Sequence, residues 1–142
     1  MDRWAKYPPL SVGRSFHASC GFEGRYVYVL CGLIYFRDEY EATDEESGTT
    51  YMKVEHKWRV SNTIERLDGF KKLQPWIPIE IPQSPLTVRR SPGVVQISLD
   101  EILIFGGVSD SELKAMYHWK VNENTIRKST TGSEFSVNPG QN

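Results

Sequence analysis

Three histidines, His17, His56 and His118, and two cysteines, Cys20 and Cys31, are the side chains on which metal or nucleophilic chemistry could be built. A zinc site needs three or four converging donors, and the histidines are scattered along the chain rather than set in ligand pairs. The carboxylates between Asp38 and Glu46 could hold a hard cation, but they lack the alternating Asp-x-Asp-x-Asp-Gly order that wraps calcium. Ser15 and Ser19 flank His17 without a nucleophile elbow, and neither a phosphate-binding glycine loop nor a catalytic carboxylate pair is present. The sequence therefore predicts no catalytic residue, no metal and no cofactor. What remains are groups suited to binding. Arg14-Ser15 and Arg90-Ser91 are similar basic pairs, and Tyr35, Phe36 and Tyr40 are aromatics of the kind enriched at protein interfaces.

The elements that would carry these residues are strands. Leu10, Arg14 and Ser15 recur as Leu86, Arg90 and Ser91, and Tyr26 to Gly32 recurs as Glu101 to Gly107, with one residue of difference between the two matches placed in a tight turn. An internal repeat decides architecture before other features. Each copy begins with a hairpin: residues 15–20 and 26–31 about Gly21 to Arg25 in the first, and residues 93–98 and 102–105 about Leu99 to Glu101 in the second. In the first hairpin this puts Cys20 opposite Tyr26 and Cys31 opposite Ser15, too far apart for a disulfide, so two free thiols are expected. A third strand follows at Thr63 to Asp68 in one copy and Met116 to Val121 in the other, and a fourth at Trp76 to Ile79 in the first copy only. Eight prolines and no helical periodicity argue against long helices.

The chain has 142 residues, 39% of them hydrophobic and 25% charged, with a net charge of -1. That is ordinary for one folded domain, and it provides no field that would draw nucleic acid or an anionic membrane. The start lacks the apolar core of a secretory signal, and the longest apolar run, Tyr26 to Phe36, falls far short of the roughly 20 residues that span a bilayer. A cytoplasmic protein with neither a nucleic-acid nor a membrane partner is expected. An insertion over residues 37–60 separates the second and third strands of the first copy. Its tip, Arg37 to Gly48, holds six acidic residues against one basic, which predicts a mobile loop, while the basic run Lys53 to Arg59 either folds back on it or lengthens the strand pair. The polar stretch 129–142 is expected to be disordered.

Arg14, His17, the aliphatic strand ending at Cys31-Gly32, then Ile64-Glu65-Arg66-Leu67-Asp68 and Trp76, together resemble one kelch repeat. Arg90, Ile102 to Phe105, Gly106-Gly107 and Tyr117 to Val121 resemble most of a second, and Trp4 with Pro8-Pro9 resembles the outer strand of a preceding one. The resemblance implies an all-β chain of about two four-stranded antiparallel blades of a kelch-type β-propeller, an incomplete, open ring. Its units would be 1–12, an outer strand and linker; 13–82, a first blade carrying the insertion; 83–128, a second, incomplete blade; and the tail. Gly32, Gly106 and Gly107 would form the inner bends, with Cys31 where a glycine is expected, and Trp4 and Trp76 would wedge neighbouring blades. Fewer than two blades cannot close a ring, which typically has 4 to 8, so the open faces call for protein partners or self-association.

The function so implied is a non-catalytic protein-interaction module presenting its inter-strand loops. One alternative is a piece of a larger kelch propeller, such as a ubiquitin-ligase substrate adaptor or a cytoskeletal protein. A propeller enzyme is a more remote one. In ligand-binding members of this family, arginines and small polar residues at the start of the first strand contact acidic peptides, which makes Arg14, Ser15, Arg90 and Ser91 candidate contacts. The competing expectation is that the arginines pair with carbonyls or a carboxylate to fix the strand start.

Overall fold

The computed structural model describes residues 3–109 and 115–130. Among them run nine strands: β1 (Arg14–Ser15), β2 (Ala18–Phe22), β3 (Tyr26–Thr43), β4 (Thr50–Asp68), β5 (Ile77–Ile79), β6 (Gly93–Ser98), β7 (Glu101–Phe105), β8 (Ala115–Lys120) and β9 (Thr125–Thr130). The fold is all-β, two antiparallel sheets, and no helix among the described residues is long and apolar enough to cross a membrane. Sheet 1 has the order β1-β3-β4-β5, with β2 also pairing β3 beyond a step at Phe16; sheet 2 is the meander β6-β7-β8-β9. The fourth strand missing from the sequence reading of the second copy is β9, which begins after a short turn at residues 121–124 and pairs with β8 along its length.

The first hairpin differs from expectation in register. Its turn is Glu23 to Arg25, so Phe22 pairs Tyr26 and Cys20 pairs Tyr28, two residues along from the expected partner, and Ser15 pairs Leu33. Both cysteines are free. Residues opposite each other in an antiparallel ladder share a face. Cys20, Tyr28, Leu30 and Ile64 therefore line one face of sheet 1, which packs on Ile102, Ile104, Tyr117 and Trp119 of sheet 2. At the centre the Tyr28 ring meets Trp119 edge-on, with centroids 4.8 Å apart, and Trp119 is almost wholly buried. Leu86, from the connection between the sheets, completes this core.

The insertion is not the mobile loop its charge implied. β3 and β4 run without interruption through it, paired from Leu33–Val60 out to Thr43–Thr50, and form a two-stranded arm projecting from sheet 1. The acidic strand lies beside the basic one: Lys57 Nζ stands 3.5 Å from Asp38 and 3.4 Å from Glu55, and the Tyr40 hydroxyl donates to Glu55 at 2.5 Å. Cross-strand charge pairing offsets the repulsion that the acidic tip would suffer alone. At the tip, Asp44 N donates to Thr49 O, and the Asp44 carboxylate accepts from Glu46 N.

The two tryptophans expected to wedge blades differ in setting. Trp76 is half buried and its Nε1 donates to Pro8 O at 2.8 Å, tying down the N-terminal segment. Trp4 is fully exposed. The tail expected to be disordered begins inside β9 at Ser129, and its remainder, 131–142, lies outside the described residues.

The bends fall where the repeat places them. Cys31 and Gly32 have φ of 62° and 101°, Gly106 and Gly107 have 64° and 92°, and Cys31 adopts the left-handed conformation that glycine supplies in the second copy. A Cβ on Gly32 would lie 2.6 Å from Ser15 O, and one on Gly107 2.6 Å from Arg90 O. Both the dihedral and the close carbonyl exclude a side chain. Gly107→Ala is expected to cost about 2–4 kcal/mol and to lower the melting temperature by roughly 5–15 °C. Gly48→Ala, at the exposed arm tip with nothing near its Cβ, is expected to cost about 1 kcal/mol. Thermal unfolding followed by circular dichroism compares them, and equal effects would contradict the crowding argument.

Candidate functional site

Arg14 enters sheet 1 beside the Cys31-Gly32 bend and turns its side chain inward. Nη1 donates to Cys31 O at 3.1 Å and Thr63 O at 3.0 Å, and Nη2 pairs with Glu65 Oε2 at 2.6 Å, with both side chains almost completely buried. The other Glu65 oxygen accepts from the Ser11 backbone N at 2.8 Å and from the Ser11 hydroxyl. Desolvation pushes the Glu65 carboxyl up, but the hydrogen bonds from Ser11 and the Arg14 charge outweigh it, so its pKa lies below the ordinary glutamate value. Arg14 thus serves the strand start rather than facing solvent.

Its counterpart in sheet 2 is Arg89, not the Arg90 that the sequence match selected. Arg89 Nη1 donates to Gly106 O at 3.0 Å, as Arg14 does to Cys31 O, and Arg90 pairs Val108 as Ser15 pairs Leu33. Matched this way, the arginines share the offset of the two bends, and no residue need be gained or lost between the copies. Arg89 is fully buried. No carboxylate is bonded to it among the described residues; instead Nη2 donates to Thr87 Oγ1 at 2.5 Å, Nε to Thr87 O at 3.3 Å, and the guanidinium lies 4.8 Å from the centre of the Tyr117 ring. Tyr117 pairs Ile104 where Glu65 pairs Val29, so a π face and carbonyls replace the carboxylate. Burial pushes the Cys31 thiol up to about 11, although Arg89 and Arg14 pull it back. It is protonated and unreactive at neutral pH.

The other candidate contacts divide. Arg90 and Ser91 are exposed, and Ser91 N donates to Phe16 O at 2.6 Å across the sheets. Ser15 is half buried and joins Gly13, Arg14, Leu33, Tyr35 and Trp58 around a groove of about 220 Å³ at the root of the arm. Tyr35 stacks on His56 at 5.4 Å and leans on Trp58 at 5.0 Å, forming with them one aromatic face. Tyr40, an odd number of residues away, belongs to the opposite face and bonds Glu55. The two tyrosines are not brought together. Trp58, 61% exposed, was missed in the sequence, although Met52, Val54, His56 and Trp58 alternate along β4 as one strand face does. On the far sheet, His118 Nδ1 lies 2.9 Å from Glu101 Oε1. Among the described residues, no three His, Cys, Asp or Glu side chains converge as a metal site would require.

No protein-family model matches this sequence, and no curated protein matches it either.

Glu65→Gln leaves Arg14 buried beside a neutral partner and is expected to destabilise the fold by about 3–5 kcal/mol at neutral pH. Because the folded-state pKa of Glu65 is depressed, its contribution is present above the unfolded value of about 4.3 and is lost as pH falls through the folded value. The gap between wild type and Glu65→Gln should therefore close on acidification. Urea unfolding at a series of pH values measures it, and a gap that stays constant into acid would remove the ion pair from this role.

Proposed function

We propose that this chain is a non-catalytic protein-interaction module of kelch-repeat type, acting in the cytoplasm, whose partner docks on the arm and the groove at its root. The observation that carries this reading is the aromatic face of Tyr35, His56 and Trp58, with Val54 and Met52 further along, all exposed on a projecting ribbon. Beyond Ile34 and Arg59 no third strand joins the arm among the described residues, and an isolated two-stranded ribbon is marginal in water. A partner that covers the aromatic face or adds a strand to a free edge stabilises it, a recurring mode of peptide recognition. The kelch assignment is supported by two antiparallel sheets with the same glycine-type bend and the same buried arginine. Two free thiols suit a reducing compartment.

A second reading, that the chain is part of a larger kelch propeller such as a ubiquitin-ligase substrate adaptor or a cytoskeletal protein, is favoured by Trp4. This fully exposed tryptophan resembles an outer-strand residue and joins neither sheet among the described residues.

A photo-crosslinking amino acid in place of Trp58 is expected to trap a discrete protein other than a second copy of this chain. Tyr35→Ala with Trp58→Ala should weaken binding of that protein by at least tenfold, since central aromatic anchors contribute about 2 kcal/mol or more. Both residues are exposed, so the melting temperature should not move. Wild-type affinity in the double variant, or no adduct but the chain itself, would overturn the proposal.

A further inference from the structure

The groove at the root of the arm is selective in its chemistry. No carboxylate lines it, and its one charged side chain, Arg14, is almost completely buried and taken up by Glu65. A charged ligand group would lose its hydration there and find no opposite charge in return, so the lining favours a neutral occupant. The polar groups left over are donors. Trp58 has an indole N–H, which can only donate, and Tyr35 has a hydroxyl; neither has a hydrogen-bond partner among the described residues. The two side chains stand opposite each other on β3 and β4, with ring centroids 5.0 Å apart and planes tilted by 55°. His56, stacked on Tyr35 with planes 15° apart, steadies that ring. The site thus offers exposed ring faces, two donors and no charge.

The backbone beside the groove is already engaged. Ser15 pairs Leu33 and Arg14 pairs Ile34 on one edge of β3, while Val60 and Arg59 pair the same two residues on the other. An added β-strand needs ladder partners for its own N–H and C=O groups and finds none on β3 at this point. A polyproline II segment needs none, because it has no ladder, its carbonyls lie in solvent, and proline has no N–H to satisfy. The fold uses one such contact internally. Trp76 Nε1 donates to Pro8 O at 2.8 Å, within the run Tyr7-Pro8-Pro9. Trp58 carries the same donor with no carbonyl upon it.

We propose that the part of the partner seated at the root of the arm is a proline-rich segment in the polyproline II conformation, its pyrrolidine rings stacked on Tyr35 and Trp58 and its carbonyls accepting from the indole N–H and the tyrosine hydroxyl. The proposal rests on the reading of the arm and its groove as a docking surface and adds the chemistry of what docks. Aromatic-lined grooves suit such segments because the ligand is already extended before it binds and loses little conformational freedom. At about 220 Å³ the groove is smaller than the roughly 300–1,000 Å³ of sites that enclose a whole small molecule. It grips a longer chain at a few rings instead.

Nuclear magnetic resonance of the isotope-labelled full chain, titrated with a blocked deca-proline peptide, tests this. The indole N–H resonance of Trp58, identified by its loss in Trp58→Phe, is expected to shift saturably with a Kd of about 1 mM or tighter. Trp4, also exposed, should not respond. Trp58→Phe keeps a ring but lacks the N–H and should weaken binding roughly two- to tenfold; Trp58→Ala should weaken it at least tenfold. Both should melt with wild type. A glycine-serine peptide of the same length should bind at least tenfold more weakly, as should an alternating threonine-lysine peptide. No shift with deca-proline would overturn the proposal, as would equal shifts at Trp4 and Trp58 or wild-type affinity in Trp58→Phe. Equal binding of the threonine-lysine peptide would assign the groove to strand addition instead, and a dimer dissolved by Trp58→Ala would assign it to a second copy; either overturns the proposal. If deca-proline fails while the crosslinker at position 58 still traps a protein, the arm remains a docking surface and only the proline-rich identity falls.

Discussion

A buried guanidinium beside a left-handed bend is the constraint on which both sheets depend. The chain must turn tightly at Cys31-Gly32 and again at Gly106-Gly107, and each turn brings a carbonyl within reach of an arginine. Arg14 and Arg89 supply donors there, reaching Cys31 O and Gly106 O, and each then needs its own charge compensated in a low-dielectric setting. Glu65 does this in sheet 1, and in sheet 2 the Tyr117 ring and Thr87 share the task. Changing the compensating partner while keeping the arginine leaves the backbone path the same. That equivalence lets two segments with little residue identity form similar sheets.

The packing of one sheet on the other follows from that frame. With the bends fixed, pleat alternation decides which residues look inward, and Tyr28 and Trp119 meet edge-on at the centre. Aromatic pairs in this orientation contribute about 0.5–1.5 kcal/mol beyond their buried area. The cross-sheet hydrogen bonds Gly32 N to Arg89 O and Ser91 N to Phe16 O lie at the bends, and Ser91 N joins the two chain reversals that carry φ near 50° at Phe16 and Ser91. The buried arginines, the bends and the sheet-to-sheet contact form one continuous unit.

Much of this was legible in the sequence. The alternation of Tyr26 to Leu30 and of Ile102 to Phe105 marked strands, and Gly107 marked a bend, because strand period and positive φ are local properties. The equivalence of the arginines was not, because Arg89 and Arg90 are adjacent and only hydrogen bonding to Gly106 O tells them apart. The arm was misread for a related reason. Its acidic tip looks self-repelling when considered alone, and Lys57 reaches Asp38 only once β4 has folded back. Among the candidate contacts, Arg14 proved buried, and Tyr35 and Tyr40 fell on opposite faces because their spacing is odd. Trp58 went unnoticed because its aromatic partner is far away in sequence.

The arm carries a hazard along with its exposed aromatic face. Two long edges with unpaired backbone groups form a template on which identical ribbons could stack into fibrils. The charges along β3 and β4 also guard those edges, since a parallel, in-register neighbour would set Lys53 against Lys53 and Asp38 against Asp38. Removing the charges of both signs would leave those edges unguarded while the sheet interior stays untouched.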